Sequence, residues 1–165
     1  NIQDKLNPGT ANFDKDFDGA IPNLIRKIRH FLKDYAYLKV YKKRKEDGGF
    51  IDELEYPFIA IDEAIINAIA HREYAVSNPI ICKAYTDAIE ISNPGKITQN
   101  VPSDFTLESI ELNSEPRNPK LIEWLRIMRD ESGSAFVRSL SEGTKTMKVE
   151  MEKLSLPAPT YKIDA

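Results

Sequence analysis

The sequence predicts a two-layer α+β sandwich, in which helices pack on one face of a mixed, mostly antiparallel sheet. The stretch 56–74 is apolar around most of a helical circumference, which is typical of a buried helix. The stretches 79–85 and 88–92 have the pattern of two short strands only two residues apart, which indicates an antiparallel hairpin. Further helices are predicted after Pro22, at Pro119 and from Gly143.

Composition favours one soluble domain. The chain has 165 residues, of which 41% are hydrophobic and 30% charged. No apolar run approaches the roughly 18 residues of a membrane span, and the first residues do not resemble a signal peptide, so we expect a cytoplasmic protein. The single cysteine, Cys82, excludes a disulfide framework. A net charge of −3 argues against nonspecific nucleic-acid binding over the whole surface.

The first half of the chain carries two basic stretches. Residues 1–18 are predicted to be an irregular lead-in with a short strand near 13–17, followed by one domain over 19–165 that is a fragment of a longer protein. The helix after Pro22 presents Arg26 and Arg29 outward, and this basic face either contacts nucleic acid or is simply solvated. The stretch 41–49 either touches phosphate or forms a mobile connector. We favour the solvated face and the connector.

The last third of the sequence predicts two helices. Asn118 is placed to cap the first, with Pro119 in its first turn. The buried face of this helix is predicted to consist of Leu121, Ile122, Trp124, Leu125 and Met128. The second is predicted over Gly143–Leu154. An edge strand is expected over Thr160–Ile163.

Three polar residues interrupt the apolar helix at regular spacing. Glu63, Asn67 and His71 are four residues apart, so each step advances about 40° around the axis and the three share one stripe. A buried acid or amide is costly unless something satisfies it. The stripe therefore faces either solvent or a ligand, and the pattern alone does not decide between them.

Three separated motifs supply the missing context. They are the residues of the stripe within 63–74, the Asn93-Pro94-Gly95 turn within 89–95, and Arg117-Asn118-Pro119, which is followed by 142–144 and 156–159. In this order they resemble the RecG-C-terminal-like branch of the histidine-kinase-type ATPase domains, the GHKL or Bergerat fold. The resemblance covers about residues 19–161.

The resemblance implies a role for each residue of the site. Glu63 would be the catalytic residue that orients the attacking water, and Asn67 would hold Mg²⁺ bound to the phosphates of ATP. His71 would brace the site. The remaining nucleotide-binding residues would be those of the turn and of the lid segment, namely Asn93, Gly95, Gly143, Thr144 and Lys145.

Two departures from the family pattern bear on activity. Asn93 stands where the family has an aspartate that binds adenine, and Lys145 stands where the lid has a second glycine. The resemblance thus implies an ATP-binding, weakly hydrolysing domain of a transcriptional regulator. The alternative is a non-catalytic sensor or dimerisation module, including a homodimer. DNA would be contacted only through other domains of the full-length protein, and direct DNA binding by this domain is the least favoured hypothesis.

Overall fold

The computed structural model describes residues 2–4, 13–34, 40–85, 88–95, 116–137 and 143–162. These residues form six strands and four helices. The strands are β1 (Ile2–Asp4), β2 (Phe13–Lys15), β3 (Val40–Arg44), β4 (Phe50–Leu54), β5 (Ile81–Ala84) and β6 (Ile89–Ser92). The helices are α1 (Ile21–Asp34), α2 (Phe58–His71), α3 (Pro119–Ile127) and α4 (Gly143–Lys153).

The main sheet has four strands in the order β2-β1-β5-β6. Its outer pairs, β1 with β2 and β5 with β6, are antiparallel, whereas β1 and β5 run parallel. In the register of the central strand β5, Cys82 faces Ile2 of β1 on one side and Ile91 of β6 on the other. The predicted mixed, mostly antiparallel sheet and its hairpin are confirmed.

The helices form the second layer, with α2 at its centre. Seven residues of α2 are buried, and the helix packs against β6, α3 and α4. The other helices contribute fewer buried residues. The core cluster consists of Ile25, Leu32, Ile61, Ile65, Ile66, Ile69, Cys82, Leu125, Phe136 and Val137. Apolar side chains of helices, strand and loop thus share one core, and the predicted α+β sandwich is confirmed.

Two stretches of the first half are more ordered than the sequence predicts. The strand expected near residues 13–17 of the lead-in is confirmed as β2, but β1 is not predicted, and it lies inside the main sheet. The expected connector is a hairpin, because β3 pairs with β4 and a turn with Gly48 at φ +96° joins them.

The predictions for the last third are confirmed in part. Asn118 lies at the N-cap position of α3 with Pro119 in the first turn, as predicted, but its side chain makes no cap hydrogen bond, because the amide points toward the end of α2. Ile122 and Leu125 are buried as predicted, whereas Trp124 is 67% exposed and Met128 is 38% exposed. Residues Thr160–Lys162 form no strand. The helix predicted from Gly143 is confirmed.

The described residues include no helix with the length and apolarity that crossing a bilayer would require.

Candidate functional site

The N-terminal half of α2 and the start of α4 lie in close contact. Glu63 and Asn67 are half-buried on one side of α2, and Gly143 is the first residue of α4. A Cβ atom added to Gly143 would lie 2.8 Å from Asn67 Nδ2 and 3.0 Å from Glu63 Cδ, and it would overlap Glu63 Oε1. Only glycine therefore fits at this position without displacing the two polar side chains.

This contact brings a carboxylate to the positive end of a helix. The backbone N–H groups in the first turn of an α-helix have no partner within the helix, and with the helix dipole they favour a negative charge nearby. Glu63 supplies such a charge at the start of α4. Burial and the charge of Glu63 together raise the pKa of Tyr161 to about 12, so its hydroxyl stays protonated at neutral pH.

Arg29 links α1 to the same part of α2. Its Nε donates to Asp62 Oδ1 at 2.7 Å and its Nη2 donates to Asp62 Oδ2 at 2.7 Å, which makes a two-pronged ion pair. The Nη2 group also donates to the carbonyl of Phe136 at 3.3 Å, and Nη1 lies 3.5 Å from Asp130 Oδ2. Asp62 immediately precedes Glu63, so this cluster adjoins the polar stripe.

The turn after β6 meets the C-terminal end of α2. Gly95 has φ +115°, and a Cβ atom there would lie 2.5 Å from the Cβ of Glu73. The Glu73 N–H donates to the carbonyl of Pro94 at 3.4 Å. The Oδ1 atom of Asn93 is buried and accepts no hydrogen bond from the described part of the chain. A buried amide oxygen without a donor is unusual, and a bound ligand is one way to supply that donor.

Two residues just before α3 secure this end of α2. Arg117 forms a short ion pair with Glu73. The Nδ2 group of Asn118 donates to the carbonyls of Ala70 at 2.8 Å and Arg72 at 2.9 Å. Burial, and then the positive charge of Arg117, lower the pKa of His71, so its imidazole is neutral at pH 7. The Asn118 amide thus satisfies part of the carbonyl groups that have no helical partner at the end of α2.

The predicted site residues fall into two groups. Glu63, Asn67 and Gly143 are in mutual contact, and Thr144 and Lys145 follow in the first turn of α4, half-buried and exposed respectively. The other group, His71, Asn93 and Gly95, lies toward the far end of α2. Glu63 and His71 are separated by about 12 Å along the helix axis. Only an elongated ligand would contact both groups.

Two acidic residues at this site, Asp62 and Glu73, were not predicted from the sequence. Asp62 forms an ion pair with Arg29, and Glu73 forms one with Arg117. Asp62 precedes Glu63 of the stripe, and Glu73 contacts Gly95 of the turn. An acid on an otherwise apolar helix is a signal for such a partner, but the sequence does not say which arginine provides it. Within the described ranges, no three His, Cys, Asp or Glu side chains are arranged to hold a metal ion. A metal at Asn67 would thus depend on oxygen atoms of a ligand and water.

A known structure has the same fold. The crystal structure of the DIP2311 protein from Corynebacterium diphtheriae matches 99% of this chain with a TM-score of 0.77 at 20% sequence identity. This level of identity shows a common fold and nothing about activity. The match covers 32% of that protein, so the chain spans about a third of its length. No curated protein sequence matches the chain.

A family model matches residues 77–165, which is more than half of the chain. The matched region includes the turn with Asn93 and Gly95, the Arg117-Asn118-Pro119 motif and α4. The matched region begins after α2, so it does not include the polar stripe. The stripe contacts the matched region at Gly143, but it is not itself part of the match. The model is described as "Putative ATP-dependent DNA helicase recG C-terminal", and the chain belongs to this family of ATPase-type domains.

Proposed function

We propose that this domain binds ATP along the polar face of α2. The observation that carries the proposal is the contact of Gly143 with Glu63 and Asn67, which joins the polar stripe to the start of α4. The first turn of a helix offers backbone N–H groups and a favourable dipole to phosphate groups. The triphosphate would therefore lie at this contact, and the base would lie toward Asn93.

Each residue near the phosphates has a task in this proposal. Bound Mg²⁺ would neutralise charge on the phosphates, and the side-chain oxygen of Asn67 would be its protein ligand. Glu63 would accept a hydrogen bond from a water molecule and hold it for attack on the terminal phosphate. Lys145 is exposed in the first turn of α4, where it would add a positive charge beside the phosphates.

The base end of the site is supported by Asn93. Its buried Oδ1 has no donor among the described residues, and the exocyclic amino group of adenine is a donor of the right kind. An amide can also present its N–H₂ to a ring nitrogen, which an aspartate cannot do. We therefore propose that Asn93 contacts the adenine ring.

A thermal-shift experiment tests the proposal directly. A ligand that binds only the folded state raises the unfolding midpoint, by the equivalent of about 2.7 kcal/mol at a hundredfold excess over its Kd. We expect millimolar ATP with Mg²⁺ to raise the midpoint of the wild type. Asn67→Ala should abolish the part of the shift that depends on Mg²⁺. Asn78→Ala, which changes an exposed asparagine after α2, is the matched control and should keep the full shift.

Hydrolysis is tested separately from binding. Glu63→Gln preserves the size of the side chain and removes its negative charge, so we expect it to keep the thermal shift and to lower the rate of phosphate release. An unchanged rate would contradict the role of Glu63. The absence of any shift with ATP, ADP or GTP would contradict nucleotide binding itself.

The closeness of the contact between Gly143 and the side chains of Glu63 and Asn67 favours a second candidate function. Glu63 and Asn67 already lie against the start of α4, with no room even for a methyl group at Gly143. A triphosphate would have to displace these side chains or move α4. A domain that kept this contact closed would be a non-catalytic sensor or dimerisation module, and it would show no thermal shift with any nucleotide.

We also propose that any role in transcription, and any contact with DNA, involves other parts of the full-length protein. On the basic face of α1, Arg29 is already paired with Asp62 and Asp130. Arg26 packs on the ring of Phe136 and donates to the Arg129 carbonyl. A filter-binding assay that retained DNA at physiological salt would contradict this proposal.

A further inference from the structure

Arg29 is the centre of a clamp that joins three segments of the molecule. Its guanidinium binds both carboxylate oxygens of Asp62 on α2, and it also contacts Asp130 and the carbonyl and ring of Phe136. Its side chain is 17% exposed and that of Asp62 is 21% exposed. A two-pronged pair of this kind fixes the relative orientation of its partners as well as their distance.

The clamp restricts rotation of α2 about its axis. Glu63 follows Asp62 directly, and successive residues of a helix are about 100° apart. If Asp62 is held by two hydrogen bonds to α1, the direction of Glu63 is fixed as well, and so is that of Asn67 one turn later. The clamp therefore determines where the polar stripe points.

The same arginine holds the segment that leads to α4. Asp130 and Phe136 lie at either end of a tight turn, in which Asp130 Oδ1 accepts hydrogen bonds from the Ser132 N–H at 2.9 Å and the Ser134 N–H at 3.0 Å. Phe136 is buried, and its N–H donates to the carbonyl of Leu125 at 3.1 Å. The sequence then reaches Gly143 within a few residues. Arg29 thus contacts both α2 and the segment that precedes α4.

We infer that Arg29 is a positioning residue, which holds the Glu63–Asn67 stripe of α2 in register with the first turn of α4. This role deepens the proposed function, because it concerns the same site, but the contact of Glu63 and Asn67 with Gly143 exists without a nucleotide. Arg29 binds Asp62 and also interacts electrostatically with Glu63, and in this proposal it would not itself touch the phosphates. It acts through Asp62 on one side and through the 130–137 segment on the other.

Arg29→Lys tests the inference, because lysine retains the positive charge and loses the two-pronged geometry. Arg26→Lys is the matched control. Arg26 lies one turn earlier on α1 and packs on the same Phe136 ring, 5.4 Å from its centroid against 5.3 Å for Arg29. Among the contacts of the described residues, Arg26 has none with a carboxylate of α2. Asp62→Asn provides a second variant, since it weakens the clamp from the opposite side.

Amide hydrogen exchange supplies a readout that needs no nucleotide. The N–H of Met147 is the first in α4 with a partner inside the helix, and the N–H of Asn67 reports on α2. At equal distance below the unfolding midpoint, we expect Arg29→Lys and Asp62→Asn to raise exchange at both amides several-fold. Arg26→Lys should leave both unchanged. A purely structural contribution of Arg29 would lower the midpoint without selectively opening α4, and that result would overturn the inference.

The second readout is ATP turnover. If the wild type hydrolyses ATP, Arg29→Lys should lower kcat roughly ten- to a hundredfold with little change in KM, because misplacement of a reacting group by about 1 Å has effects of that size. An unchanged kcat would overturn the inference. If the wild type does not hydrolyse ATP, the proposed catalytic function fails. The exchange experiment then decides the positioning role by itself.

Discussion

The C-terminal end of α2 and its middle are both polar, but they are built differently. At the C-terminal end, Glu73 has Arg117 as its partner, and the Asn118 amide donates to two backbone carbonyls. In the middle, Glu63 and Asn67 face Gly143 at the start of α4, where an added Cβ would overlap them. The first arrangement is a network of paired charges and satisfied carbonyls. The second places an acid and an amide at a helix N-terminus.

The difference indicates where stability and function are located. Groups that are paired with each other hold segments together, and removing one partner leaves the other buried and unsatisfied. An acid held at a helix N-terminus can instead exchange that interaction for one with a ligand. We therefore expect substitutions of Gly95 and of the Glu73–Arg117 pair to act mainly on folding, and substitutions of Asn93 and of residues near Gly143 to act on ligand binding as well.

The largest effect is expected from Gly95→Ala. The left-handed backbone at φ +115° costs a residue with a Cβ about 1–2 kcal/mol, and the overlap with Glu73 adds about 1–3 kcal/mol. We expect urea denaturation to show a loss of about 2–5 kcal/mol in the free energy of unfolding.

Gly48→Ala separates these two costs. Gly48 has φ +96° in the turn between β3 and β4, but no atom lies within 4 Å of the position of an added Cβ. It should lose only the backbone term, about 1–2 kcal/mol. Equal losses for the two variants would mean that the contact of Gly95 with Glu73 contributes nothing.

Gly143→Ala should have a smaller effect on stability. Overpacking against Glu63 and Asn67 costs about 1–3 kcal/mol, and the higher helix propensity of alanine recovers about 0.5–1 kcal/mol. Gly49→Ala is the control, because the nearest atom to its added Cβ is 3.8 Å away. In a Glu63→Ala background the cost of Gly143→Ala should decrease, and only the part that comes from Asn67, 2.8 Å from the added Cβ, should remain. A cost that stayed the same would show that Glu63 does not lie against Gly143 in solution.

The smallest effect is a change in pH dependence at His71. Because the pKa of His71 is lowered from its ordinary value of 6.5, the unfolded chain binds more protons than the folded one just below that pH. Its contribution to stability is complete above about pH 6.5 and decreases as the pH falls through the folded pKa. His71→Gln should flatten stability against pH in this range. A slope in His71→Gln equal to that of the wild type would contradict this assignment.

Periodicity was sufficient to predict the elements that carry the core. The apolar circumference of α2 and the spacing of α4 both correspond to helices, and the β5–β6 hairpin forms where two short apolar runs adjoin. Local patterns of this kind need no knowledge of distant residues. For the same reason, the stripe of Glu63 and Asn67 could be identified from spacing alone.

Interactions between distant residues could not be predicted in this way. Asn118 has the sequence context of a helix cap, but its amide is used by carbonyls at the end of α2, some 46–48 positions earlier. Trp124 is exposed although it follows a helical apolar pattern. The partnership of Arg29 with Asp62 spans 33 positions, and nothing in either local sequence identifies the other residue. Tertiary contacts override local propensity in each case.

The parallel pairing of β1 with β5 has a consequence for how the protein folds. Ile2 and Cys82 are paired although about 80 residues of chain separate them, so closing this loop costs more entropy than closing any hairpin in the described sheet. During synthesis β1 has no parallel partner until β5, about 80 residues later, has been translated. A variant that lacks β1 would expose the edge of β5, whose unpaired N–H and C=O groups are a template for self-association. Pairing with β1 thus covers an edge of β5 in the described sheet.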